Sequence, residues 1–254
     1  MFTNAIVRTP GRSIVEGLSD SKTLGLPNYE QAIIQHQSYI DALTKCGLDV
    51  FVLESCEEYP DSTFVEDVAL ITPNCAIITR PGAPSRRGEV NEIEYILKQK
   101  FNNIEAIEAP GTIEGGDIMM VGNHYYIGLS ERTNLEGAKQ IIQILNKYRM
   151  SASTISLKKV LHLKTGLSYL EKNNLVVCGE FINDSLFEQF NPIEIPKKES
   201  YAANCIWVNE SVIIPLGYPT TKQRIENAGY PVIETDVAEF QKLDGGLSCL
   251  SLRY

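Results

Sequence analysis

The sequence predicts an α/β fold: a five-bladed α/β propeller of ββαβ units with pseudo-five-fold symmetry, closed by joining the N- and C-terminal strands. Four stretches of the 254-residue chain repeat one pattern, a short apolar strand, a polar turn and a second apolar strand. Each is followed by a segment of helical character and then by a short alternating strand. The two chain ends supply the pieces of one more unit, and equivalent points recur at about 40 to 50 residues, the spacing of stacked supersecondary units.

The N-terminal segment AIVRT (5–9) reads as a strand, NYEQAIIQHQSYIDALTKCG (28–47) as an amphipathic helix and DVFVLE (49–54) as the next strand. DVALITPNCAIIT (67–79) is the first hairpin, followed by GEVNEIEYILKQKF, with Val90, Ile93 and Leu97 at helical spacing, and by the strand IEAIEA (104–109). DIMMVGNHYYIGL (117–129) is the second, followed by NLEGAKQIIQILNKY, with Leu135, Ala138, Ile142 and Leu145 on one face, and by STISLK. LSYLEKNNLVVCG (167–179) leads to the short helix NDSLFEQF and the strand IEIP. NCIWVNESVIIPL (204–216) leads to PTTKQRIENAGY, with a proline at its start and Gly229 at its end, and to PVIETD. Pro-Asn, Asn-His, Asn-Asn and Asn-Glu mark the four hairpin turns. LSCLSL (247–252) is expected as the strand that joins the first unit to the last, so that no raw sheet edge remains. If the first strand of each unit lines the axis, Asp67, Glu114 with Asp117, His162 and Cys249 gather at one mouth. The competing arrangement is an open α/β sheet, but no GxGxxG or GK[ST] loop supports a nucleotide-binding version of it.

At 43% hydrophobic and 22% charged residues the chain has the composition of a globular protein with a substantial core, expected as one domain over residues 1–254. With 32 acidic against 23 basic residues and a net charge of −9, no basic cluster larger than a pair suggests nucleic acid or an anionic membrane as partner. The N-terminal MFTNAIVRTPGRS lacks the apolar core of a signal peptide, and no apolar run reaches the roughly 20 residues needed to span a bilayer. Six cysteines without CxxC spacing fit free thiols in a reducing cytoplasm rather than a zinc site or a disulfide framework. The assembly state is left open, a homodimer included.

Few residues can carry nucleophilic or acid–base chemistry. Of the three histidines, His36 reads as a solvated helix residue between Gln35 and Gln37, and His124 as a turn residue in GNHYY. His162, flanked by Val160, Leu161 and Leu163, fits a core role as well as a catalytic one. Cys75, Cys178 and Cys205 sit in strand-like runs and read as small core residues; Cys46 closes a helix and Cys56 lies in a polar loop. Cys249 follows Asp244-Gly245-Gly246 and is expected to open a strand, where a pliant backbone lets a ligand come close. PDSTFVED (60–67) and EGGD (114–117) place carboxylates directly ahead of inner strands. Such groups are costly when buried unless paired, and a guanidinium, a planar fork of five donors, pairs them well. Internal salt bridges or loop capping would satisfy each motif separately.

Taken together and in order, PDSTFVED, RPGAPSRRGE, EAPGTIEGGD, KVLHLKTG, SYAANCIWVNE and DGGLSCLSL resemble the bacterial dimethylarginine dimethylaminohydrolases, guanidine-modifying enzymes of the amidinotransferase superfamily with the five-fold α/β propeller called the pentein fold. The resemblance runs through essentially the whole chain. It implies Cys249 as nucleophile, His162 as general acid/base and Glu114 as the carboxylate associated with that histidine. It implies that Asp67 grips the guanidinium with Glu66 beside it, and that Asp61, Arg86 and Arg132 bind the amino-acid end of the substrate. Leu18, in the EGLSD segment, would belong to a mobile lid, Leu243 would contribute its backbone and Phe64 would shape the pocket. Two arginines suit an α-carboxylate and an aspartate suits an α-ammonium.

The activity so implied is hydrolysis of asymmetric dimethylarginine and monomethylarginine, small-molecule substrates, to citrulline plus dimethylamine or methylamine through a covalent thiouronium, without metal or organic cofactor. Arginine deiminases are the nearest rival, but those of this superfamily carry HxD where this chain has His162-Leu163-Lys164, and like amidinotransferases they are longer. A non-catalytic pentein, such as the ribosome-binding anti-association factors, would lack the Cys-His-Glu set.

Overall fold

The computed structural model describes residues 1–19 and 22–254. The chain opens with β1 (Asn4–Arg8), α1 (Tyr29–Lys45) and β2 (Asp49–Leu53). The first hairpin forms β3 (Ala69–Ile71) and β4 (Ala76–Ile78), followed by α2 (Val90–Lys100) and β5 (Ile104–Ala106). The second forms β6 (Ile118–Val121) and β7 (His124–Leu129), followed by α3 (Leu135–Lys147) and β8 (Ser151–Ser156). β9 (Leu167–Tyr169), β10 (Asn174–Val177) and β11 (Asn191–Glu194) come next, then β12 (Ile206–Val208), β13 (Ser211–Pro215), α4 (Pro219–Asn227) and β14 (Val232–Thr235). A short α5 (Ala238–Gln241) and β15 (Leu252–Arg253) complete the chain.

These strands make five three-stranded sheets, in the orders β15-β1-β2, β3-β4-β5, β6-β7-β8, β9-β10-β11 and β12-β13-β14. In every sheet the middle strand pairs antiparallel on one side and parallel on the other. β1 pairs with β15 through Ala5 opposite Arg253 and Ile6 opposite Leu252, so the two ends of the chain share one sheet.

Local chemistry explains the helix boundaries. Asn28 caps α1 by accepting the Gln31 N–H at 3.0 Å, and Asn134 caps α3 by accepting that of Gly137 at 2.8 Å. α4 starts on Pro219 and is ended by Gly229 at φ +93°, a left-handed turn that glycine adopts without a steric cost. The expected helix NDSLFEQF is absent; Gly179–Phe181 and Ser185–Phe187 are 3-10 turns instead. Asn183 takes a left-handed φ of 60°, and Asp184 draws the Leu186 N–H onto its own carboxylate. So short a segment cannot nucleate a helix against that competition. Phe187 and Phe190 then pack on Tyr126 at 5.4 and 6.1 Å between centroids.

The turns also shift two of the expected positions. The second hairpin turns on Gly122-Asn123, so His124 opens β7 with its imidazole nitrogens on Ser151 Oγ and Ser153 Oγ at 2.8 and 2.9 Å. LSCLSL is not one strand. Ser248–Leu250 is a 3-10 turn, closed by Cys249 N–H donating to the Gly246 carbonyl at 3.1 Å and by Ser248 N–H donating to Asn204 Oδ1 at 2.9 Å. Leu247 and Leu250, three apart, are both fully buried, which a period of two would have placed on opposite faces.

Five apolar clusters hold the sheets together, each joining two of them. Ile6 and Leu252 pack with Ala69 and Ile78, Ile77 with Ile118 and Ile127, Met119 and Tyr126 with Leu167 and Val177, and Val176 with Cys205 and Ile214. The remaining cluster sets Val7 and the α1 residues Tyr39 and Leu43 against Val208 and Ile213 of the last sheet. Residues of β3, β6, β9, β12 and β15, one strand from each sheet, line a common cavity of about 150 Å³. His36 belongs to the buried face of α1, not to solvent: it is 3% exposed, its Nε2 finds no partner among the described residues, and burial lowers its pKa to about 4. Among the described residues no helix is long and apolar enough to cross a membrane.

Candidate active site

A smaller pocket, of about 40 Å³, gathers the loops that precede the inner strands. Cys249, His162, Glu114, Asp67, Asp61, Arg86, Arg132, Leu18, Phe64 and Leu243 all line it, with Leu161, Ser19, Asp244 and Gly245, which sequence reasoning did not single out as site residues. Asp20, the last residue of the EGLSD segment, lies outside the described residues. No histidine is among the described residues that line the larger cavity, so the smaller one, which holds both Cys249 and His162, is the candidate active site.

Asp67 enters from the 3-10 turn Val65–Val68, and Glu114 is the N-cap of the 3-10 turn Gly115–Asp117. Glu114 is fully buried; its Oε2 lies 2.9 Å from His162 Nε2, while its Oε1 accepts the Gly82 N–H at 3.0 Å and sits 3.9 Å from the Arg132 guanidinium. Asp117 stands behind the histidine, accepting the Leu163 N–H at 3.0 Å and the hydroxyls of Ser130 and Thr133 at 2.7 and 2.6 Å. Burial opposes protonation of His162, yet the Glu114 hydrogen bond and the charges of Asp117 and Asp67 outweigh it and raise the imidazole pKa to about 9. At neutral pH the resting histidine is therefore an imidazolium.

Gly116 makes this arrangement possible. A Cβ there would lie 2.9 Å from His162 Cγ and 3.0 Å from Nδ1, so the imidazole can sit against the backbone only where there is no side chain. The Gly116 N–H also donates to Asp67 Oδ1 at 3.0 Å, which ties the EGGD turn to the PDSTFVED turn.

Asp67 Oδ2 accepts from Arg86 at 2.7 Å. Burial disfavours its charge, but Arg86 and His162 more than offset that and hold the carboxyl below its usual range. Arg86 has further partners within the protein. Its Nε and Nη2 reach Glu89 at 3.0 and 2.8 Å, and Nη2 also donates to the Phe64 carbonyl at 3.0 Å. Arg86 thus pairs with Asp67 at rest, while Arg132 of the same pocket lies 3.9 Å from Glu114. Glu89 is pushed up to about 7 by burial, which the Arg86 charge only partly counters.

Glu66, expected beside Asp67, turns the other way. Its carboxylate accepts from Lys164 at 2.5 Å and from Ser248 Oγ at 2.7 Å, and it lines the larger cavity instead. Neighbouring residues in a tight turn point to different sides, and the sequence pair Glu-Asp does not reveal which one faces which. Asp61 accepts the Leu18 N–H at 2.9 Å, fastening the segment that holds Leu18 over the pocket.

Cys249 is 8% exposed, and the Gly246 N–H lies 3.4 Å from its Sγ. Burial, reinforced by the negative charges of Asp67 and Glu66, pushes its pKa up to about 12. The site at rest thus pairs a neutral thiol with a protonated imidazole. Asp67, Glu114 and His162 bring three potential ligand atoms within 4.8 Å of one another. A divalent cation there would have to displace the histidine's proton and compete with Arg86, so the trio suits charge and proton handling better than metal binding.

The family model described as "N,N dimethylarginine dimethylhydrolase, eukaryotic" matches residues 25–250. The N(G),N(G)-dimethylarginine dimethylaminohydrolase of Pseudomonas aeruginosa is 58% identical over 255 residues, covering 100% of both chains. The crystal structure of the Cys249→Ser mutant of dimethylarginine dimethylaminohydrolase from Pseudomonas aeruginosa, complexed with citrulline, superposes with a TM-score of 0.99 at 57% identity over 100% of both chains. That of a His162→Gly dimethylarginine dimethylaminohydrolase adduct with S-methyl-L-thiocitrulline gives the same TM-score, identity and coverage. Sequence likeness over the full length and a common backbone agree with the pocket just described: the chain belongs to the dimethylarginine dimethylaminohydrolase family.

Proposed function

We propose that this protein hydrolyses Nω-methylated arginines to citrulline and dimethylamine or methylamine, with Cys249 as nucleophile and His162 as acid and base. The observation that carries the reading is a single pocket holding a buried thiol, a histidine bonded to a buried carboxylate, and an ionised aspartate. The solved relatives with citrulline and with a thiocitrulline adduct bear on the same substrate class.

A guanidinium is a poor electrophile because its charge is delocalised, and a thiol held above its usual pKa is a poor nucleophile. The substrate addresses both. Its cation enters beside Asp67 and favours loss of the Cys249 proton to solvent; at about 4 Å and an effective dielectric near 20, one such charge pair is worth roughly 4 kcal/mol before desolvation. Thiolate adds to the guanidinium carbon, forming the S–C bond. His162 gives its proton to the leaving nitrogen, the C–N bond breaks, and a thiouronium remains on Cys249. The now neutral imidazole takes a proton from water, the hydroxide oxygen adds to the same carbon, the C–S bond breaks as the proton left on that oxygen passes to sulfur, and citrulline leaves with the Cys249 thiol and the imidazolium restored. Glu114 keeps the imidazole oriented and protonated between turnovers, Arg86 with Glu89 fixes Asp67, and Asp61 with Arg132 takes the α-ammonium and α-carboxylate.

Lys164, two residues after His162, is paired with Glu66 and lines the larger cavity, so that position brings no second carboxylate to an unsubstituted nitrogen. This favours methylated over free arginine. Five clusters that link successive sheets and last to first, and one cavity shared by a strand of each, support a closed five-bladed α/β propeller formed by residues 1–254 as one domain. The test is to incubate the purified protein with dimethylarginine and with arginine and identify the amine released. Dimethylamine with citrulline is expected; ammonia from arginine as the main product would replace this reading with deimination.

A further inference from the structure

The turn Ser248–Leu250 closes on itself through backbone bonds of 3.1 and 3.4 Å, from Cys249 N–H to Gly246 and from Leu250 N–H to Leu247. A single turn holds a reacting atom in place only with support from outside it. We propose that Asn204 and Tyr39 are positioning residues for the nucleophile, clamping the turn that carries Cys249 from two sides, a role that rests on the hydrolytic reading of this site. Asn204 Oδ1 accepts the Ser248 N–H at 2.9 Å and its Nδ2 donates to Ser248 Oγ at 3.1 Å; that hydroxyl in turn donates to Glu66 at 2.7 Å, so the donors run one way and fix the carboxamide. The same carboxamide packs on Gly246, where a Cβ would come within 2.5 Å of Asn204 Cγ. Gly246 is the residue whose N–H meets Cys249 Sγ at 3.4 Å, a donor that favours the thiolate. One side chain thus sets both the backbone just before Cys249 and the N–H aimed at its sulfur. Asn204 is itself held, since Ser168 Oγ lies 2.8 Å from the carbonyls on either side of it, those of Ala203 and Cys205. From α1, the fully buried Tyr39 donates its hydroxyl proton to the Leu247 carbonyl at 3.0 Å and accepts from Ser251 Oγ at 2.7 Å. Leu247 and Ser251 flank the turn, so one oxygen spans it. Neither Asn204 nor Tyr39 lines the catalytic pocket, and losing either moves the sulfur without removing a substrate contact.

Two variants of the full chain test the clamp: Asn204→Leu, which keeps the volume and loses both bonds to Ser248, and Tyr39→Phe, which loses one hydroxyl. For each, kcat with dimethylarginine, the single-turnover rate of covalent-intermediate formation, the Kd of citrulline and the Tm are measured. A misplacement near 1 Å can cost about a hundredfold and one neutral hydrogen bond is worth roughly fivefold, so kcat and the single-turnover rate should fall together by those factors in Asn204→Leu and Tyr39→Phe respectively, while the Kd of citrulline stays within about twofold of the parent. Parent values of kcat in both variants would overturn the proposal. So would a Kd of citrulline that weakens in proportion to kcat, which would place the effect on the whole pocket rather than on the sulfur. If Asn204→Leu melts below the assay temperature, Tyr39→Phe decides by the same two criteria. Release of dimethylamine by the parent tests the hydrolytic reading by itself: a parent that releases none removes the nucleophile and the clamp with it, whereas an active parent beside unimpaired variants removes the clamp alone.

Discussion

Cys249 and His162 are held in the protonation states opposite to those a resting thiolate–imidazole couple would need, and this can be measured residue by residue. With the thiol pushed up to about 12, alkylation of Cys249 in the free protein should keep accelerating through pH 10; a plateau near pH 8 would show an ordinary thiol. Cys249→Ser should abolish turnover while leaving the thermal transition in place, and appreciable activity would refute the nucleophile. His162→Gly should slow formation and breakdown of the covalent intermediate alike, seen by single-turnover mass spectrometry. His162 also tilts stability with pH. Its folded pKa of about 9 lies above the unfolded value of 6.5, so its contribution is complete below pH 6.5 and is lost as pH rises through 9. The loss is of the order of 3 kcal/mol by linkage, and denaturant unfolding of the wild type, but not of His162→Gly, should weaken over that window. The histidine's role was not legible from its apolar neighbours alone; only the order of motifs across the chain singled it out. His36 was misread for the opposite reason. Polar Gln35 and Gln37 suggest solvent, although Ala32, His36, Tyr39 and Leu43 share one helical face and all are buried.

At the scale of elements, the hairpins were legible because turn residues interrupt apolar runs at regular intervals, and the polar-to-apolar change marks strand ends within a residue or two. The 3-10 turns were not, since a single turn has neither the length nor the period to stand out from a strand. Yet those turns carry Glu66, Asp67, Asp117 and Cys249, with Glu114 and His162 as N-caps of two of them. Their tightness is functional, and Gly116 tests it. In Gly116→Ala the new methyl must push His162 away, and because a misplacement near 1 Å can cost about a hundredfold, kcat should fall by that order with little change in Tm. A variant with the parent kcat would show that the imidazole has slack there.

Across the whole molecule, the repeat of one supersecondary unit was readable because each copy keeps the same alternation of antiparallel and parallel pairing, which the sequence displays as hairpin, connection and third strand. The closure we propose predicts that the covalent break between Tyr254 and Met1 is arbitrary. Thr3 N–H already donates to the Tyr254 carbonyl at 2.9 Å, and Tyr254 N–H to that of Asn4 at 3.0 Å. A permutant with these ends joined by a short linker and opened between Gly122 and Asn123 should fold and release dimethylamine at a rate within a few-fold of the parent; failure to fold would argue that the sheets do not form a closed set. The two cavities impose a stricter condition elsewhere. Glu66 serves one and Asp67 the other, from successive positions of a single turn, so the gain or loss of one residue at that turn would exchange their directions. Related chains can drift in length at hairpin tips, but residues 64–68 should stay gap-free for as long as catalysis is under selection.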